Sequence, residues 1–101
     1  MVDISAENPG SDNPVTDNPT RHRFELAQDG LIAFATYRRE PGLWFIDYVE
    51  APVALRGTGV AGRLMHGVLD QARTAGVKVA PVCGYARAFM QRHRQYADLL
   101  A

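Results

Sequence analysis

The sequence has one cysteine, Cys83, and no long apolar run. A single thiol excludes an internal disulfide and a multi-thiolate metal site. The three histidines, His22, His66 and His93, lack the spacing of metal ligands, so we expect no metal. The apolar runs are too short to cross a bilayer, and no charged-then-apolar leader opens the chain. These features predict a cytoplasmic protein with no membrane partner.

Positive charge is missing from the beginning of the chain. Residues 1–20 hold four acidic residues and no Lys or Arg, so residues 21–101, with eleven basic and seven acidic residues, carry a charge of +4. A mildly basic surface suits an anionic small molecule or a nucleic acid. Because basic residues form no run and do not alternate with aromatic ones, we expect no nucleic-acid partner.

The first twenty residues also differ in pattern from the rest. An acidic residue directly followed by Asn-Pro recurs at 7–9, 12–14 and 17–19, and large apolar residues are few. Such a segment buries too little apolar area to offset the entropy of ordering it. The pattern predicts a disordered acidic tail over 1–20 and one folded domain over 21–101. A solubilising role for this tail is favoured over a role in binding a partner.

The first half of the domain is expected to be three strands. Asp29-Gly30 lies between two extended runs and is a strong hairpin signal, because both turn positions need a positive φ. Pro41-Gly42 marks a second turn. The third run, "LWFIDYVEA" at 43–51, alternates little, which indicates a strand covered on both faces. These segments predict a three-stranded antiparallel meander.

The second half is expected to be a helix, a strand and a short helix. Seven apolar residues share one face at helical spacing: Val60, Ala61, Leu64, Met65, Val68, Leu69 and Ala72. Gly76 ends this helix, and a second helix covers about 85–94. The strand at 77–82 contains Pro81, which we expect at an edge or where two strands part, because proline cannot donate to a ladder. A strand–helix–strand unit makes a right-handed crossover with parallel strands. The fold class is therefore α/β (α+β), with the helix beginning where ligands of such sheets bind.

The start of the first helix contains little side-chain bulk. Residues 56–61 read "RGTGVA", and glycines at a helix N-terminus let an anion approach the unpaired N–H groups. A tight turn without a ligand is the alternative explanation of the glycines. The sequence has no G-x-x-x-x-G-K-[ST] loop, and the preceding meander argues against a dinucleotide-binding fold.

This loop resembles the coenzyme A pyrophosphate loop, R-x-x-G-x-A, of the GNAT acetyltransferase superfamily. Downstream, "VAPVC" at 79–83 and "RHRQY" at 92–96 resemble the V-x-P-x-C and R-H-x-x-Y motifs of its small single-domain members. The resemblance covers about 23–101 and implies a reduced GNAT fold that binds acetyl-CoA. It implies that the pantetheine arm lies between the two parallel strands. The implied cofactor-binding residues are Arg56, Gly57, Thr58, Gly59, Val60 and Ala61.

Four residues are candidates for the chemistry of acetyl transfer. Glu50 matches a glutamate of the family pattern and is the preferred base. Tyr48 stands where many members have histidine, and a tyrosine serves as an acid or hydrogen-bond donor rather than as a base. Cys83 lies at a strand end before a helix start, and the resemblance places it near the thioester. Tyr85 could protonate the thiolate, although the usual family spacing points to position 90.

Each of these candidates also has a structural explanation: a buried small thiol for Cys83, a sheet aromatic for Tyr48 and a solvated carboxylate for Glu50. Asp47 is expected to make a structural bond, and His66 and His93 to be surface groups.

The resemblance implies an N-acetyltransferase that acts by direct transfer on an unidentified amine, either a small molecule or a protein. The alternative is a non-catalytic acyl-CoA-binding or sensing module. A protein-interaction domain that uses the Asn-Pro tail ranks last. We expect a monomer or a weak homodimer.

Overall fold

A computed structural model describes residues 13–101, in which one five-stranded sheet carries two helices. The strands follow one another across the sheet in chain order: β1 Thr16–Asn18, β2 Arg23–Gln28, β3 Leu31–Glu40, β4 Leu43–Glu50 and β5 Lys78–Pro81. The helices are α1, Val60–Ala75, and α2, Gly84–Arg92. All neighbouring strands are antiparallel except β4 and β5, which are parallel. The predicted meander and parallel crossover are therefore confirmed.

The turns form where the sequence predicts them. Asp29 and Gly30 have φ values of 53° and 77°, the left-handed conformation that a two-residue hairpin loop requires. Gly76 ends α1 with φ 73°, and its N–H bonds the carbonyls of the last helical turn. Within residues 13–101, no helix is both long and apolar enough to cross a membrane.

The core lies on one face of the sheet. Buried side chains alternate with less buried ones along β2 and β3, which is typical of a sheet packed on one side. The apolar stripe of α1 packs on that face, and its predicted members are buried except Ala61, which is half-buried. β4 was predicted to be covered on both faces, and this is wrong: Trp44 and Ile46 are buried, whereas Leu43 and Phe45 are only half-buried.

A β-bulge changes the direction of the side chains near the end of β4. The register shifts between Thr36 and Tyr37 of β3, so that Asp47 has no partner opposite it. Simple alternation after Trp44 and Ile46 would point Tyr48 into the core. Instead Tyr48 is 52% exposed. A bulge commonly turns a side chain in this way.

β4 and β5 separate beyond Pro81. The last paired residues are Ile46 and Pro81, while β4 continues to Glu50 against β3 alone. The N–H groups of Val82 and Cys83 both donate to the Ile46 carbonyl at 3.0 Å as the chain turns away. Proline has no N–H for a ladder. The prediction that Pro81 lies at an edge or where two strands part is confirmed.

The predicted tail needs a correction. Residues 1–12 lie outside the described residues, but residues 13–18, here called the N-terminal arm, pack on the domain. Val15 is buried in the core, and β1 pairs with β2. The Asn13 side-chain amide donates to the Gly67 carbonyl at 2.9 Å. The repeated Asn-Pro pairs gave no indication that Val15 belongs to the core or that β1 forms a short strand.

Gly67 makes the packing of the arm possible. A Cβ at this position would lie 2.7 Å from both Asn13 Oδ1 and Val15 Cβ, closer than real Cβ contacts. Gln71 Nε2 donates to the Val15 carbonyl one turn later, at 2.6 Å. The glycine inside α1 is therefore explained by close contact with the arm.

The prediction that His66 and His93 are surface groups is wrong, because both are half-buried in an aromatic cluster. Their ring centroids are 5.1 Å apart, and the His93 ring stacks on Phe89 at 3.9 Å. His66 Nδ1 lies 2.9 Å from the Tyr96 hydroxyl, which donates to Asp70 at 3.1 Å. The C-terminal segment supplies Tyr96, and this burial could not be read from the spacing of the histidines.

Candidate functional site

The start of α1 is uncapped. Gly57 and Gly59 have φ values of 85° and 83°, a region that side chains strongly disfavour, and Gly59 offers no capping side chain. The amide of Arg63 is the first to bond within the helix, to the Gly59 carbonyl at 3.1 Å. The N–H groups at 60–62 thus have no partner within the helix. No acidic residue occupies the first turn, so this positive end is open to an anion.

Arg63 is a second cation at this loop, and the sequence analysis missed it. Its Nη1 donates to the Thr58 carbonyl at 3.1 Å, and its Nη2 contacts the Gln28 side chain. A Cβ on Gly59 would lie 3.5 Å from that same Nη1. Because helical side chains point toward the N-terminus, an arginine one turn into the helix reaches the loop. That rule was the available signal.

Arg56 turns toward the end of β4. Its Nε donates to the Ala51 carbonyl at 3.2 Å, and its Nη2 pairs with Glu50 Oε2 at 3.3 Å. The Arg56 side chain is 59% exposed. Arginines therefore flank the loop from two sides, one held by a backbone carbonyl of the loop and one by a carboxylate.

Tyr48 and Glu50 form the next contact. The Tyr48 hydroxyl donates to Glu50 Oε1 at 2.5 Å, and this bond, with the charge of the carboxylate, raises the pKa of Tyr48. The Tyr48 ring lies 6.4 Å from the Phe34 ring on the open face of the sheet. Tyr48, Glu50 and Arg56 therefore form one chain of contacts at the end of β4.

Cys83 and Tyr85 lie on the other side of the split. Cys83 is half-buried and precedes α2 as its N-cap residue. Burial is the main cause of the raised pKa of Tyr85. The charge of Cys83 contributes to the raised pKa of Tyr85 and of Tyr48. A Cβ on Gly62 would lie 3.9 Å from the Tyr85 hydroxyl, so this phenol faces α1.

Asp47 plays a structural part, as predicted. Its carboxylate accepts two hydrogen bonds from Arg38, at 2.7 and 2.9 Å. The same bonds lower the pKa of Asp47. The Arg38 guanidinium also lies over the Phe45 ring, 4.4 Å from its centroid. This carboxylate is therefore engaged away from the split.

The arrangement combines three features. The unpaired N–H groups at 60–62, flanked by Arg56 and Arg63, form an anion-binding surface, here called the cradle. Beside it lie the gap where β4 and β5 separate and the Glu50 carboxylate. Among the residues that the structure describes, no group of three or more His, Cys, Asp or Glu side chains could hold a metal ion. The site suits an extended ligand whose anionic part lies at α1 and whose other end reaches the gap.

A protein-family model described as GCN5-related N-acetyltransferase matches residues 23–99, most of the chain. The chain belongs to the GCN5-related N-acetyltransferase family. A GCN5-like protein from Staphylococcus aureus, solved by NMR, is 21% identical to this family member with a TM-score of 0.64. The alignment covers 88% of this chain and 89% of the other and shows a shared fold. No curated protein matches this GCN5-related chain.

Proposed function

We propose that this protein binds acetyl-CoA and transfers its acetyl group directly to an amine. The observation that carries the proposal is the uncapped start of α1, flanked by Arg56 and Arg63 and lying beside the split between β4 and β5. Family membership supports this proposal. The acceptor is a small-molecule or protein amine, with no role for nucleic acid or membrane, and the protein acts as a monomer or a weak homodimer.

The pyrophosphate of CoA fits the cradle formed by the loop. The proposed cofactor-binding residues are Arg56, Gly57, Thr58, Gly59, Val60 and Ala61, and Arg63 joins them on its contacts. A side chain on either glycine of the loop would be strained at the observed φ. Backbone N–H groups and arginines are the common partners of phosphate oxygens.

The residues near the gap suit proton handling. Acetyl-CoA supplies the thioester, and a direct transfer needs no protein nucleophile. Glu50 accepts a proton from the acceptor ammonium, and Tyr48 holds the Glu50 carboxylate in position through its hydrogen bond. Cys83 shapes the wall of the gap. Tyr85, whose hydroxyl faces the first turn of α1 and whose raised pKa keeps it protonated, is the proposed proton donor to the departing thiolate.

Calorimetric titration with CoA tests the binding part of this proposal. Arg63→Gln should weaken CoA binding roughly five- to tenfold, the loss of one charge-assisted hydrogen bond, and less at high salt. Arg56→Gln should weaken it less. Arg21→Gln is the matched control, because Arg21 is an exposed arginine in the turn before β2. Equal CoA affinity in all variants would place the pyrophosphate site elsewhere.

Catalysis needs a separate measurement. Release of free CoA thiol from acetyl-CoA should accelerate with at least one amine of a broad panel, in proportion to protein concentration. CoA binding without any amine-dependent release would instead support the non-catalytic acyl-CoA-binding or sensing module. The early position of Tyr85 in α2, and tyrosine at 48, are the features that favour this second function.

A further inference from the structure

Arg56 lies between the two halves of the proposed site. Its guanidinium is held at the end of β4, by the Ala51 carbonyl at 3.2 Å and by Glu50 Oε2 at 3.3 Å. Yet Arg56 immediately precedes the glycine loop at the start of α1. The side chain is more than half exposed, so it can rotate without disturbing the core. Exposed ion pairs of this kind are weak.

A pyrophosphate at α1 competes with Glu50 for this guanidinium. The CoA pyrophosphate carries two negative charges, against one on the carboxylate, and its oxygens match the planar arginine fork. We propose that Arg56 is exchanged between Glu50 and the CoA pyrophosphate, so that CoA binding releases the Glu50 carboxylate for the acceptor amine. The proposal rests on the proposed function and adds an order of events to it.

The exchange changes what Glu50 can bind. Before it, Oε1 accepts from Tyr48 and Oε2 from Arg56, so both carboxylate oxygens are engaged. The positive guanidinium also repels an ammonium group. After it, Tyr48 still fixes Oε1, while Oε2 is open to an ammonium N–H and its proton. The acceptor amine therefore binds more tightly once CoA is present, and thermodynamic reciprocity requires CoA to bind more tightly with the amine.

Arg63 does not share this behaviour. Its contacts are the Thr58 carbonyl and the Gln28 side chain, neither of which carries a charge. The loop thus has one cation whose contacts are uncharged and one that changes partner in the proposed exchange. Only the second couples the cofactor site to Glu50.

Calorimetric titration of CoA into four proteins tests the exchange: wild type, Glu50→Gln, Arg56→Gln and the double variant. Glu50→Gln should bind CoA roughly two- to fivefold more tightly, because an exposed pair no longer has to break. In the Arg56→Gln background the same change should give no gain. Asp47→Asn is the matched control, since it removes a charge from the same strand while leaving Arg56 untouched.

A spectroscopic measurement accompanies the titration. In wild type, CoA should shift the Arg56 Nε–H resonance strongly, and in Glu50→Gln that resonance should lie closer to its CoA-bound position before any addition. Unfolding curves for the variants check that the fold is unchanged.

Each contrary outcome identifies what fails. A gain that persists in the double variant, or an equal gain from Asp47→Asn, would show general charge repulsion and overturn the exchange alone. Weaker CoA binding by Glu50→Gln would show that Glu50 supports Arg56 in the bound state, which also overturns it. A wild-type protein that does not bind CoA would overturn the proposed function and the exchange together.

Discussion

Two chemical routes are distinguished by one substitution each: direct transfer with Glu50 as the base, and covalent transfer through Cys83. If transfer is direct, Cys83→Ala should bind CoA almost normally and lose at most a few-fold in rate. Glu50→Gln should lose about a hundredfold in rate, because it removes the proposed base. The rates are measured by CoA thiol release with the best amine of the panel. Glu50→Gln should therefore lower turnover while it tightens CoA binding.

A covalent route would leave a different trace. Acetyl-CoA alone would then place a hydroxylamine-labile acetyl group on Cys83, detectable by mass spectrometry, and Cys83→Ala would abolish turnover. His66 Nδ1 lies 2.9 Å from the Tyr96 hydroxyl and His93 Nδ1 lies 2.8 Å from the Phe89 carbonyl, so each ring has a partner other than Cys83. These contacts favour the proposed direct route over a thiol activated by either of these histidines.

At the level of single residues, the sequence predicted the kind of interaction that a residue makes better than the direction in which its side chain points. Asp47 was correctly assigned a structural bond, while its partner Arg38 was not identified. The contact of Arg63 with the loop was not predicted, because helical periodicity gives the angle of a residue but not the reach of a long side chain back along the axis. The contacts of Arg56 with Glu50 depend on the path of the β4–α1 loop, which no local pattern encodes.

At the level of elements, the N-terminal arm packs closely on α1 because residue 67 is a glycine. Gly67→Ala would gain about 1 kcal/mol of helix propensity, yet its Cβ would collide with Asn13 and Val15. Displacing residues 13–15 of the arm exposes Val15 and breaks the two side-chain hydrogen bonds that join them to α1. We expect a net loss of about 3 kcal/mol in the free energy of unfolding, measured with urea.

A double-mutant cycle gives the control for this prediction. Val15→Ala should destabilise the wild-type protein but add little to Gly67→Ala, since the arm is already displaced. Removing residues 1–18 should cost at least as much as Gly67→Ala, because it also removes β1 and the bond of Tyr37 to Asp17, whereas removing residues 1–12 leaves every described contact of the arm in place. Additive effects of the two substitutions, or a stabilising Gly67→Ala, would contradict the role given to Gly67.

The elements that the sequence predicted are those with strong local rules. Asp29-Gly30 requires a tight hairpin, the apolar stripe of α1 requires burial, and Pro81 cannot continue a ladder. The bulge at Asp47 has no local sequence signal. Strand β1 pairs with the nearby β2, but the segment before it is held by contacts of Asn13 and Val15 with α1, which is distant in sequence. The composition of residues 1–20 predicted a disordered tail. It could not predict the burial of Val15, because Val15 packs against Gly67 of α1, and this surface exists only in the folded domain.

At the level of the whole molecule, the candidate site lies where β4 and β5 separate, beside the start of α1. Both helices lie against the same core, and the opposite face near Tyr48 and Phe34 stays open. Arg56 joins the proposed cofactor site to the proposed base through its contact with Glu50. The loop at 51–59 therefore holds both the proposed anion site and the residue proposed to couple it to Glu50.

Both ends of the described chain are fastened by a buried tyrosine that donates to a carboxylate. Tyr37 bonds Asp17 of the arm at 2.5 Å, and Tyr96 of the C-terminal segment bonds Asp70 at 3.1 Å. Burial, reinforced by these bonds, raises the pKa of Tyr37 and of Tyr96 to about 12. An unfolded tyrosine titrates near pH 10. The protonated form is therefore favoured by folding.

The sign of the pH dependence follows from these two groups. Below about pH 10 their contribution to stability is fully present, and between about pH 10 and 12 the unfolded chain releases protons that the folded chain retains, so the free energy of unfolding falls. Urea unfolding across this range, with tyrosine ionisation followed at 295 nm, measures the effect. Tyr37→Phe and Tyr96→Phe should each flatten the fall, because each removes one ionisation that opens an end of the chain. Four tyrosines titrating together near pH 10, with constant stability up to pH 12, would show that neither phenol fastens the chain.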